Sequence, residues 1–95
     1  MTDRELLEAA ARAAGIDPVL AQPIELSDGM HYYWNPIKFA DDRYCLLKAL
    51  KMAIDFDAQS VIYTLDGSIC EESFRDDGDD ARAVLRAAAE IGRNM

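Results

Sequence analysis

Two Asp-Gly pairs, Asp28-Gly29 and Asp66-Gly67, each interrupt an apolar run, and together they commit the chain to two β-hairpins. A two-residue type I′ turn needs positive φ at both central positions, which Asp and Gly tolerate. The first pair lies between Ile24-Glu25-Leu26 and the run from Met30 to Trp34, so a turn at Asp28-Gly29 sets Leu26 against His31 and Ile24 against Tyr33. Ile24, Leu26, His31 and Tyr33 then share one face, with Glu25, Ser27, Met30, Tyr32 and Trp34 on the other. Both faces carry large apolar groups, which predicts a sheet covered at least partly on each side. Asn35-Pro36 stops the strand, since proline has no amide to donate to a ladder. The second pair joins Val61 to Leu65 with Ser68 to Cys70; a strict turn there pairs Ile62 with Glu71 and Val61 with Glu72. That mixture of polar and apolar partners predicts a bulge or a frayed edge strand.

Three helices surround the hairpins. Thr2-x-x-Glu5 is a capping box and Gly15 suits a left-handed C-cap, so the first helix runs over about 3–14. Leu6, Leu7, Ala10, Ala13 and Ala14 form its apolar stripe, made largely of alanine and therefore able to approach a neighbour closely. Residues 16–23, with two prolines and no period, form a loop. The second helix begins near Asp41 or Asp42 and runs to about Ile54. Its stripe of Leu46, Leu47, Leu50, Ala53 and Ile54, widened by Cys45, Ala49 and Met52, makes it the most buried helix, with Tyr44, Lys48 and Lys51 on the wet side. The third starts after Asp76-Asp77-Gly78-Asp79-Asp80, whose carboxylates cap amides and complement the helix dipole, and runs to about Ile91. Ala81, Val84, Leu85, Ala88 and Ile91 share one face, and Arg82, Arg86, Glu90 and Arg93 the other, with Arg86 and Glu90 at pairing distance. The order is αββαββα, an α+β fold with a four-stranded, mainly antiparallel sheet and helices on one or both faces.

Ninety-five residues, 51% hydrophobic and 29% charged, make one domain (1–95) that buries roughly 60–65% of the surface its unfolded chain exposes, without need of disulfides or metal. No stretch approaches the roughly 20 apolar residues of a membrane span, and the charged opening Met1 to Glu5 is unlike an export signal, which predicts a cytoplasmic protein. Cys45 and Cys70 read as reduced thiols in that compartment. A net charge of −8 argues against nucleic acid as partner, because such proteins gain affinity from clustered Lys and Arg. The charge is uneven: residues 66–80 carry −6 and residues 81–95 carry +2.

No catalytic, metal or cofactor constellation emerges. His31 is the one histidine and shares a face with Leu26 and Tyr33, as a half-buried structural histidine does. Cys45 has no evident cation to lower its pKa and reads as packing. Aligning Gly78 with the glycine of an EF-hand loop requires acids where Ser73 and Arg75 stand and a Glu where Val84 stands, so 76–80 reads as a solvated capping loop. The glycines are isolated, which excludes a phosphate loop. Tyr32, Trp34 and Phe39 read as core and edge aromatics, with a binding platform as the alternative; as that alternative they join the acidic residues Asp76, Asp77, Asp79 and Asp80 in a possible interaction surface.

The opening residues 1–10 with Ala13-Ala14-Gly15-Ile16, the central Trp34-Asn35-Pro36 before Asp41-Asp42, and the closing Arg86 to Gly92 resemble a family of small tailed-phage and prophage proteins, the phage ABA-sandwich domain. The resemblance spans most of the chain through short, alanine-rich motifs. Ile37-Lys38-Phe39-Ala40 stands where the family has a shorter polar turn. The resemblance implies an α/β/α sandwich, a two-layer arrangement being the alternative, and a phage or prophage origin; it implies no activity and no catalytic residue. The expected function is thus a non-catalytic accessory or protein-interaction protein of a phage or its bacterial host. The alternative is an acidic inhibitor that mimics DNA toward a host defence or DNA-binding protein.

Overall fold

Local chemistry sets each element of the computed structural model, which describes residues 2–17, 23–32 and 34–95, as backbone along 23–26 and 29–32. Helix α1 spans Asp3–Ala14, β1 Pro23–Leu26, β2 Gly29–Tyr32, α2 Ala40–Ala49, β3 Ala53–Asp55, β4 Ser60–Leu65, β5 Ser68–Ser73 and α3 Asp80–Arg93. The class is α+β, as expected. The strand count is not: among the described residues β1 and β2 form a two-stranded sheet, and β3, β4 and β5 a separate three-stranded antiparallel one with β4 in the middle.

The first helix starts and stops where its sequence says. Thr2 Oγ1 accepts from the Glu5 amide at 3.2 Å, and the Glu5 carboxylate accepts from the Thr2 amide at 3.4 Å. Gly15 adopts φ 72° and donates to the carbonyls of Ala11 and Arg12. Leu7, Ala9, Ala10 and Ala11 are buried, a stripe turned slightly from the expected one. This face meets α3, and the approach is as close as alanine permits: a Cβ at Gly92 would fall within van der Waals distance of the Ala9 carbonyl. Helix α3 is buried nearly all round, through Ala81, Ala83, Val84, Leu85, Ala87, Ala88, Ala89 and Gly92, because α1, α2, β4 and β5 all pack on it.

The expectation for α2 needs two corrections. It ends at Ala49, and it is the least buried helix, with Leu46 alone fully inside. Lys51 takes φ 55°, the Met52 amide donates to the Leu47 carbonyl at 2.9 Å, and the Leu50 amide to Leu46 at 3.0 Å. This is a left-handed C-terminal wrap made without glycine. It turns the chain so that Ala53–Asp55, whose first two residues were assigned above to helix, becomes a strand paired with Ser60–Ile62 of β4.

Both hairpins exist. The first turns at Ser27-Asp28, so that Leu26 faces Gly29 and Ile24 faces His31. The register thus slides by two residues, which keeps the parity of the pairing and hence the sharing of faces. The expected partner of Ile24, Tyr33, and the cover over this hairpin lie outside the described residues. The second hairpin has a strict two-residue turn, with φ 50° at Asp66 and 80° at Gly67, and pairs without a bulge from Leu65↔Ser68 to Ser60↔Ser73. The mismatch of Val61 with Glu72 is absorbed from above: Arg86 of α3 donates to the Glu72 carboxylate at 2.8 Å. Val61 and Tyr63 face the core with Ile54, Leu65 and Cys70. Thr64, Ile69 and Glu71 on the opposite face are exposed.

Candidate interaction surface

Between β2 and α2 the Trp34-Asn35-Pro36 motif acts as a clamp. Trp34, 6% exposed, sits in the core, and Pro36 is fully buried beside it in sequence. The Asn35 side-chain oxygen accepts from the amides of Ile37 and Lys38, both at 3.1 Å, an Asx turn. The Asn35 amide donates to the Asp42 carboxylate at 2.9 Å, and Arg43 donates to the carbonyls of Pro36 and Ile37 at 3.0 and 3.3 Å. Asp42, the second of the acidic pair that follows the motif, therefore closes the loop onto the first turn of α2, where a carboxylate also meets the positive end of the helix dipole.

This rigid connection holds Phe39 at the N-cap of α2, 45% exposed, with the Lys38 ammonium 5.6 Å from its ring centroid. Lys38, Phe39, Ala40, Asp41 and Asp42 line a shallow open depression of about 460 Å³. Further along, Tyr44 is 64% exposed, and Cys45, Lys48 and Ala49 are exposed as well. Cys45 is therefore a surface thiol rather than the packing residue its flank suggested; both cysteines are free. At about 100° per residue Asp41, Tyr44, Cys45 and Lys48 share the outward stripe. All three lysines of the chain, Lys38, Lys48 and Lys51, fall in this segment, and among the described residues none of them forms an ion pair.

The acidic loop has another role. Asp79 caps α3, accepting from the Arg82 amide at 3.0 Å, Asp77 accepts from the Asp79 amide at 2.9 Å, and Asp80 lies in the first helical turn. Asp76 and Asp77 are exposed. The turn at 55–58, hydrogen-bonded to the Phe74–Arg75 segment, carries Phe56, which the sequence reading passed over. It is 68% exposed, packs edge-on against buried Phe74 with centroids 6.4 Å apart, and lies between Asp55 and Asp57. The two turns are tied together: the Phe74 amide donates to the Gln59 carbonyl at 2.8 Å and Arg75 to the Ala58 carbonyl at 3.0 Å. An aromatic flanked by two acids in a turn was the available signal.

Of the residues expected to form a surface, Phe39 and the four aspartates lie at or near it, on separate elements, whereas Trp34 is core. The side chain of Tyr32 lies outside the described residues. The expected Arg86–Glu90 pair is replaced by Arg86–Glu72 and Arg93–Glu90, and Arg82 grips Asp3 with a two-pronged contact at 2.6 and 3.2 Å. That hydrogen bond raises the Arg82 pKa. These pairs neutralise a second hollow of about 270 Å³ lined by Leu6, Glu72, Arg86, Glu90 and Arg93. Burial, reinforced by Cys70 and Glu72, pushes the Tyr63 phenol above its ordinary pKa. Among the described residues no group of three or more His, Cys, Asp and Glu side chains is placed to hold a metal ion, and no helix is long and apolar enough to cross a membrane. No family model, no curated protein and no solved structure matches the chain.

Proposed function

We propose that the chain is a non-catalytic protein-interaction domain, with the outward side of α2 as its docking face. One observation carries this reading: Phe39 and Tyr44 are held out to solvent on a well-braced helix, next to every lysine of an otherwise acidic molecule. Exposed aromatics on a rigid element are what an interface core is made from, and charged groups around them form its rim. The context of a small phage or prophage accessory protein rests on the sequence resemblance alone, as does the α/β/α sandwich; α3 packs on β4 and β5, and α1 and α2 pack on α3. The two free thiols support a reducing, cytoplasmic setting. The DNA-mimic alternative gains less support, because Asp3, Asp42, Asp55, Glu72, Asp77, Asp79 and Glu90 are engaged in caps, turns and ion pairs rather than set out as a regular row.

The test is affinity capture from a bacterial lysate with the wild-type chain and with Phe39→Ala/Tyr44→Ala, followed by mass spectrometry. Loss of a specific partner from the folded variant supports the docking face. Retention of every captured partner by that variant removes it.

A further inference from the structure

The surface carries a second feature that matches the α2 face in both chemistry and form. Helix α2 and its N-cap present Phe39 and Tyr44 with Lys38, Lys48 and Lys51, Asp41 being on the same stripe; the turn at 55–58 presents exposed Phe56 and Asp57 and is tied through Phe74 and Arg75 to the turn at 74–79, which carries exposed Asp76 and Asp77. Both are braced, the first by the Asn35–Asp42 clamp and the second by the Phe74–Gln59 and Arg75–Ala58 hydrogen bonds. Along the chain, strand β3 separates the C-terminal wrap of α2 from Phe56. We propose that the chain associates with itself head to tail, the acidic Phe56 end of one copy seating on the α2 face of the next. The proposal rests on the reading of α2 as a docking face and names its occupant as a second copy.

Charge complementarity is the argument. A net charge of −8 repels copies at long range, but that repulsion is screened beyond roughly 8 Å at physiological salt, leaving contact-range pairing of lysines with carboxylates to set the register. Two different patches meet, so the contact is heterologous, and unless the rotation closes a ring the assembly grows with concentration.

Sedimentation velocity on the wild-type chain, from about 10 μM to about 1 mM, reads this directly. The mass should climb above that of the monomer with concentration and fall back as sodium chloride rises from about 50 to about 500 mM. A face variant, Lys38→Glu/Tyr44→Ala/Lys48→Glu, and an end variant, Phe56→Ala/Asp57→Lys/Asp76→Lys, should each associate about tenfold or more weakly. Mixed together they should form a capped one-to-one pair, because each retains the patch that the other lacks. Thermal melts check that both fold; the single changes Lys48→Glu and Asp57→Lys, at exposed positions, replace any variant that does not. A wild-type chain that stays monomeric at every concentration overturns the proposal. So does a mixture that fails to pair, or either variant assembling alone as the wild type does. A monomeric result leaves the docking face to be judged by lysate capture, so the two readings fail separately.

Discussion

The α1–α3 seam and the α2 segment are both helical and both rich in apolar residues, yet they spend those residues in opposite ways. Along α1 and α3 Ala9, Ala10, Ala11, Ala87, Ala88 and Ala89 are all buried, and a glycine is needed where Gly92 meets the Ala9 backbone. In α2 one leucine is buried, while Tyr44, Cys45 and Ala49 face out. Small side chains contribute stability by permitting close approach, which maximises dispersion contacts across the seam. Large ones left in water contribute nothing to the fold and are therefore available for a partner.

The comparison is broken most severely at its one shared point, the tryptophan that anchors the α2 segment to the core. Trp34→Ala should lower stability by about 3–5 kcal/mol, measured by urea unfolding, since it leaves a cavity beside buried neighbours. A loss under about 1 kcal/mol would mean that the clamp does not depend on its anchor. Gly92→Ala tests the seam. Helix propensity favours it by about 1 kcal/mol, but the new methyl meets a backbone carbonyl that cannot rotate away, so a net loss of about 1–3 kcal/mol is expected. Equal or higher stability would show that the seam has slack.

Asp42→Ala should cost about 1 kcal/mol, because the half-buried Asn35 amide loses its acceptor. Amide exchange at Asn35 should accelerate at the same time, and unchanged exchange would dissolve the clamp. Tyr63→Phe probes the inner side of the sheet through pH. Burial raises the folded-state pKa of this phenol, so stability is intact below the ordinary tyrosine value of about 10 and is lost as pH climbs from there through the raised folded value. The variant should lose less stability than wild type between about pH 9 and 11; parallel curves would count against burial as the cause. Tyr44→Ala is the smallest effect on the fold, within about 0.5 kcal/mol, while it should remove partner binding. A large destabilisation would place Tyr44 in the core and end the contrast between the two regions.

Where residues signal through local chemistry, the sequence was legible. Thr2 and Glu5 cap α1, Gly15 ends it, and Asp66-Gly67 makes the turn that its dipeptide requires. The boundary of α2 was hidden because Leu50, Ala53 and Ile54 continue a helical period, and the residue that breaks it is a lysine in the left-handed region, where glycine would have given warning. The same error concealed β3 and the exposure of Cys45. The surface was half legible: Tyr44, Lys48 and Lys51 were placed in water, and Trp34 read as a core or edge aromatic with a platform as the alternative, but Phe39 shared that reading although it is exposed, because only packing distinguishes a buried aromatic from a presented one. The Val61–Glu72 pairing looked faulty because its remedy, Arg86, lies in another element.

The seam has a consequence for how the chain reaches its fold. The Asp3–Arg82 contact joins groups 79 positions apart, and α1 finds its chief cover in α3, residues 80–93. During synthesis at roughly 5–20 residues per second, α1 waits several seconds for that cover. Contacts of such long separation slow folding, because the loop must close before they reward it. The two hairpins, by contrast, can form as soon as their strands emerge, on the microsecond scale of such elements. Assembly of α1 onto α3 is therefore the late event, and the tolerance of this protein for seam mutations should be decided more by folding yield at the ribosome than by the stability of the finished molecule.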